Sequence, residues 1–274
     1  MERSLKNRKD KAAHAPAVGA VGKDEVSALA RGLAVLKVLA DAGQALSNGE
    51  LAQATGVPKA TVSRLVTTLL STGFVRQVPG GERYDLGSAT LRLGNAYLRS
   101  FDFRQSARLH LAELAEVAGA NVHLGVRDGL DVLLIDTLRP RSALILSRMD
   151  VGSRMAIATS AAGRAYLAAL APAQRAELLD EIRASVGEGA WPAVAQRLDA
   201  AVDEEARLGF CTSFGEWHPD IHALGFSLRG TGGELYAVSV GGPAYKLPRE
   251  WLLEKVAPRL LATRRAIAEE AGQT

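Results

Sequence analysis

The sequence predicts an α+β protein: a small three-helix body closed by a hairpin, a linker helix, and a larger domain around a mostly antiparallel sheet. Three observations predict it. Two helical patterns meet at a tight Gly-Val-Pro turn and run into a hairpin, which is the order of a winged helix-turn-helix. Further on, strand patterns cluster between helical ones with short turns among them. The charge also divides along the chain: residues 1–100 hold 14 Lys and Arg against 8 Asp and Glu, a balance of +6, and residues 101–274 hold 19 against 22, a balance of −3. A basic front and mildly acidic back place any polyanion at the front.

Residues 1–24 have basic side chains but no apolar core of the kind a secretory signal carries, and they are expected to form a disordered arm. Residues 25–86 form the first domain. Its opening helix, SALARGLAVLKVLAD, puts Leu29, Leu33, Leu36 and Ala40 on one face, with Ser27 as its expected cap. Ser47 and Glu50 have the spacing of a capping box, so a second helix starts near Asn48 and stops at Gly56. Pro58 suits the first position of a third helix. There Val62, Leu65, Val66, Leu69 and Leu70 make one apolar stripe, leaving Thr61, Ser63, Arg64, Thr67 and Thr68 outside it. An isolated helix of this kind has only a solvated polar face. In a helix-turn-helix the same short hydrogen-bonding groups, with Lys59 and Arg64, face bases and phosphates. Residues 74–78, a Pro-Gly-Gly turn and Arg83-Tyr84-Asp85-Leu86 make the wing, where Arg83 is placed to reach a phosphate or the minor groove.

Residues 87–103 read as the linker helix, apolar on more than one side, which suits burial between bodies or in a dimer. In the domain at 104–270 a helix is predicted over 104–118. Strands follow at 121–126, 131–138 and 143–149, helices at 161–169, 173–184 and 192–209, and strands at 210–214, 223–228 and 235–240. A last helix, 248–270, carries an expected kink at Pro258. No run approaches the apolar length of a membrane span. The lone Cys211 cannot pair within the chain, which fits a reducing cytoplasm.

On these residues the chain resembles the IclR family of bacterial transcriptional regulators from about Val26 to Ala268. The markers are ARGLAVLKVL, LAQATGVPKATVSRLVTTLLSTGFV, the hairpin ending YDLG, LGNAYL, VHLGVRDG, VGSRM followed by TSAAGRA, and AVSVGGPAYKL. The resemblance implies a winged-helix domain joined by a helix to a GAF-like effector domain, working as a homodimer or homotetramer on palindromic operator DNA; no cofactor is expected. Carried over, the DNA-reading set is Arg31, Lys59, Thr61, Ser63, Arg64 and Arg83, to which the polar face adds Thr68. The implied effector pocket takes Gly125, Ser160, Ala161, Ala162, Gly163, Ala223, Leu224, Phe226, Ser239 and Gly241, with Glu216, Trp217, His218 and Asp220 from the preceding segment. Ala223 stands where the family usually has Cys, Asp220 where it has Gly, and Phe226 where it has Ala.

A small organic acid is the expected effector. The amides opening the helix at Ala161 and the hydroxyls of Ser160 and Ser239 favour negative charge, with Trp217, Leu224 and Phe226 as an apolar wall and His218 or His222 as a polar contact. The alternatives are a regulator with a metal or with no effector in this domain. His218 and His222 have a metal spacing only on a helix, and Pro219 with a strand after it places them about 13 Å apart. An enzyme is disfavoured. Cys211 and Ser160 have no sequence-visible base, and Gly230 to Gly233 lacks the Lys-Ser/Thr ending of a phosphate loop.

Overall fold

The computed structural model describes residues 26–141 and 149–272, which divide into two compact units at Ser100 and Phe101. The expected arm at 1–24 and, apart from Met149, the expected strand at 143–149 lie outside the described residues. Among the described residues no helix is long and apolar enough to cross a membrane.

In the first unit α1 (Ser27–Ala42), α2 (Asn48–Thr55) and α3 (Lys59–Ser71) pack around Val35, Leu39, Leu51, Val62 and Val66. The Ser47 capping box forms: the Glu50 amide donates to Ser47 Oγ at 3.3 Å and the Ser47 amide donates to Glu50 Oε2 at 2.7 Å. Gly43 and Gly56 end α1 and α2 in the left-handed conformation, at φ 58° and 69°. Two expected end positions shift by one residue. Val26, not Ser27, precedes α1 and makes no side-chain cap, while Pro58 is the cap of α3 instead of its first residue. The hairpin of β2 (Val75–Gln77) and β3 (Arg83–Leu86) gains a third strand, β1 (Leu46–Ser47), which pairs with β3 and orders the sheet β1-β3-β2. That strand is two residues long, too short to show an alternation. The linker helix α4 (Ser88–Arg99) has no buried residue.

The second unit opens with α5 (Asp102–Ala118), whose Ala107, Leu111, Leu114 and Ala118 turn inward at helical spacing. Its sheet holds β4 (Asn121–Asp128), β5 (Asp131–Leu138), β6 (Arg154–Ala156), β7 (Cys211–Phe214), β8 (Ile221–Arg229) and β9 (Leu235–Pro243). They lie antiparallel in the order β6-β5-β4-β9-β8-β7. Strand β6 is absent from the pattern-based reading because three residues fall below any usable period. The helices α6 (Ala161–Ala169), α7 (Pro172–Val186) and α8 (Trp191–Leu208) follow β6. The chain ends in α9 (Arg249–Trp251), a wide turn at Leu252–Val256, and α10 (Ala257–Glu270). In that turn the Ala257 amide reaches back to the Leu252 carbonyl, one residue beyond the normal helical span. Pro258, with no amide to give, follows at once, so the expected irregularity is a widened turn just before the proline.

Strand parity sorts the sheet. Val122, Leu124, Leu224, Phe226, Tyr236, Val238 and Val240 share the face that meets α5 and α10, where Phe103 stacks on Tyr236 at 4.6 Å. His123, Ala223, Gly225, Ser239 and Gly241 share the other face. There α6 lies so close that a Cβ on Gly225 would come within 2.3 Å of the Ala161 backbone.

Candidate DNA interface and ligand cavity

The outer face of α3 presents Lys59, Ser63, Arg64 and Thr68 to solvent, with Thr61 half-buried beside them and Arg31 half-buried on α1. Among the described residues Lys59 and Arg64 have no ion-pair partner, so both cations are available to a polyanion. Thr68 is partly committed, its hydroxyl donating to the Arg64 carbonyl at 3.2 Å. Arg83 is a correction. Its guanidinium donates to the Ala45 carbonyl at 3.1 and 2.9 Å and to Glu50 Oε1 at 3.1 Å, so it fastens β3 to the cap of α2. Ser47 and Arg83 together hold the Glu50 carboxyl below its ordinary range, the Ser47 amide contributing most.

In the second unit a cavity of about 490 Å³, its open mouth included, lies between α6 and the sheet face that carries Ala223. Its lining combines Ser160, Ala161, Trp217, Ala223, Ser239 and Gly241, all expected, with His123, Met149, Met155, Ser213, Ile221 and Gly242, which the sequence reading missed. The signal for His123 was present: two residues before Gly125 on a strand, it shares that residue's face. The same parity places Ile221 with Ala223.

Nine expected residues do not line it. Leu224 and Phe226 point to the opposite sheet face, so the Phe in place of the family's Ala does not narrow the cavity. Gly125 lies at a break in the β4–β5 register, and a Cβ there would come within 2.4 Å of Val132. Ala162 belongs to the core around Val132 and Leu134, and a Cβ on Gly163 would come within 2.3 Å of Ile157. Glu216 is taken by Arg197 at 3.0 Å and Arg164 at 3.5 Å and by the Phe214 amide. The Arg164 guanidinium beside it is the leading force that keeps its carboxyl low against burial. His218 and Asp220 are exposed, with the Asp220 amide donating to His218 Nδ1 at 3.3 Å. His222 points away from the cavity, with Nδ1 2.9 Å from the Leu247 carbonyl and its ring edge-on to Phe214. Among the described residues no group of three or more His, Cys, Asp or Glu could hold a metal.

The α6 N-terminus is also less open than its sequence implied. Ser160 Oγ accepts from the Gly163 amide at 3.1 Å and donates to the Ala156 carbonyl at 2.7 Å, while Gly225 covers the Ala162 amide. His123 is buried, and desolvation first, with Arg139 second, pushes its pKa down to about 4 against the pull of Asp150. Cys211 is no nucleophile. Its thiol is buried, donates to the Ala201 carbonyl at 3.2 Å and is pushed up by burial, then by Glu205 and Glu204.

A winged helix with unpaired cations among the described residues on its third helix, followed by a domain holding a cavity between helix and sheet, defines a DNA-binding transcriptional regulator with an effector domain. The comparisons agree. The family model of the bacterial transcriptional regulator IclR C-terminal domain matches residues 95–269 and that of the IclR helix-turn-helix domain matches residues 28–79. The chain belongs to the IclR family. It is 30% identical over 241 residues, 87% of this chain and 86% of the relative, to the HTH-type transcriptional regulator TsaQ1/TsaQ2 of Comamonas testosteroni. It is 32% identical over 176 residues, 64% of this chain and 62% of the relative, to the transcriptional repressor IclR of Escherichia coli. Among solved structures, an IclR family regulator from Brucella abortus superposes with a TM-score of 0.78 at 35% identity, covering 92% of this chain and 97% of that one. An IclR homologue from Microbacterium hydrocarbonoxydans, complexed with 4-hydroxybenzoate, shares the fold at a TM-score of 0.70 and 22% identity, covering 90% of this chain and all of that one. The relatives named here are regulators, not enzymes.

Proposed function

We propose that the chain acts in the cytoplasm as a dimer or a tetramer that reads a palindromic operator with α3, and that a small organic acid in the second unit tunes its operator affinity. The observation that carries the effector reading is the cavity itself, an apolar space walled by Trp217, Ile221, Met149 and Met155 with a few polar groups at defined positions. The bound 4-hydroxybenzoate of the Microbacterium homologue supports an aromatic carboxylate as the class. On the front unit, Lys59, Thr61, Ser63 and Arg64 lead the set proposed to meet DNA, with Arg31 and Thr68 at its margins. The linking logic is thermodynamic: a ligand shifts operator affinity only through different affinities for two arrangements of the reading heads. The test is calorimetry of the full chain with a panel of carboxylates, paired with operator binding by anisotropy. Ala223→Phe fills the cavity and is expected to abolish ligand binding while operator binding without ligand persists. Undiminished binding in that variant would move the site elsewhere.

A further inference from the structure

Among the described residues four hydroxyl or imidazole side chains line the cavity, and two are already committed. Ser160 Oγ donates to the Ala156 carbonyl and Ser213 Oγ donates to the Thr159 carbonyl at 2.8 Å, so neither has a hydrogen left for a guest. His123 and Ser239 remain. They are register partners across β4 and β9, side by side on the cavity face. His123 Nδ1 lies 3.2 Å from Thr137 Oγ1, and among the described residues Nε2 and the Ser239 hydroxyl have no hydrogen-bond partner. Trp217 adds an indole donor, but one that cannot change charge.

We propose that His123 and Ser239 together hold the acidic oxygen of the effector, and that each effector anion enters with one proton from solvent, which goes to His123 Nε2 or Nδ1. The proposal rests on the acid-effector reading above and adds His123 and the proton. Among the described residues no Lys or Arg lines the cavity, and a carboxylate buried without a counter-charge is strongly disfavoured. Among the described residues the charged groups acting on His123 are Arg139, just after β5, and Asp150, in the turn before β6, which pair with each other at 3.2 Å. Strand β9 offers Ser239, and the described cavity residues of β8 and α6 carry no charge. Burial and Arg139 favour the neutral imidazole. A carboxylate at hydrogen-bonding distance reverses that balance, because the imidazolium then has a partner and the anion a counter-charge. The step balances as a proton transfer: the bond between the proton and a buffer acid breaks, an N–H bond forms on the ring, the buffer's conjugate base stays in solution, and an ion pair replaces a neutral ring and a solvated anion.

The experiment is calorimetry of the full chain with benzoate and 4-hydroxybenzoate, in phosphate and in Tris near neutral pH. The expected result is an enthalpy that differs between buffers by the uptake of close to one proton per carboxylate bound, with affinity falling about tenfold per pH unit over the neutral range. His123→Asn keeps a donor of similar size but cannot take the proton, so its binding is expected to be weaker, independent of pH and identical in proton balance between buffers. Ser239→Ala is expected to weaken binding and keep the uptake. Carboxylate binding by the wild type with no proton uptake, or equal uptake in His123→Asn, would overturn the His123 role and leave the acid effector standing. Binding of benzyl alcohol or benzamide with no carboxylate bound would overturn the acid reading itself.

Discussion

Arg64 stands exposed on α3 without an ion-pair partner among the described residues, so a guanine edge in a major groove can take its planar fork without breaking a bond within the protein. Arg64→Ala is expected to cost about 1 to 3 kcal/mol of operator affinity and to relax one base position, read by anisotropy on a set of single-base operator variants. Lys59→Ala should weaken all sequences alike and flatten the dependence on salt, since a phosphate contact acts through counterion release. His123 makes a second prediction at this scale. Its folded pKa is about 4 against an ordinary 6.5, so below pH 6.5 the unfolded chain takes a proton that the folded chain refuses. The apo protein should therefore lose stability from this residue as pH falls from 6.5 to 4, by about 3 kcal/mol, and no further below that. Urea titrations of the wild type and His123→Asn across that range check it: the difference between them should narrow as the pH falls.

The approach of α6 to β8 shapes the cavity at the scale of elements. Gly225 allows it, because any Cβ there would overlap the Ala161 carbonyl carbon and oxygen, and backbone cannot rotate away as a side chain can. Gly225→Ala should push α6 off the sheet, at a cost of roughly 1 to 3 kcal/mol in folding and with loss of ligand binding, measured by denaturation and calorimetry. The elements themselves were largely legible. Capping box, apolar stripe and strand alternation are local, and α2, α3, α6 and most strands fall where those patterns place them. Strands β1 and β6 were not, since two or three residues carry no period and exist only because a partner strand supplies their hydrogen bonds.

Surface left uncovered is the matter at the scale of the whole molecule. Within one chain Leu91, Leu93 and Tyr97 of α4 are 65%, 61% and 47% exposed, and Leu29 and Leu33 of α1 are 62% and 49% exposed. A helix with no fully buried residue gains little from packing, and short helices are marginal in water on propensity alone. The dimer proposed above would cover these faces and pair two α3 helices for a palindrome. Leu91→Glu with Leu29→Glu should give a monomer by light scattering at micromolar concentration and lose specific operator affinity, because one recognition helix reads too few base pairs. A wild type that stays monomeric with operator present would remove the dimer.

The sequence by itself determined the α+β class, the helix-turn-helix and the family, because each depends on residues near one another in the chain or on motifs quoted intact. It also named half of the cavity lining, including Ser160, Ala223 and Ser239. Tertiary structure alone decided which groups are free. Arg83 and Glu216 look available until Glu50, Arg164 and Arg197 fold against them from distant positions. Ser160 looks like an anion donor until its hydrogen goes to Ala156. His123 looks like one more strand residue until β4 pairs with β9 and sets it beside Ser239. The physical reason is that a side chain's capacity to bind is what remains after its own fold has used its donors and acceptors, and that remainder depends on long-range neighbours.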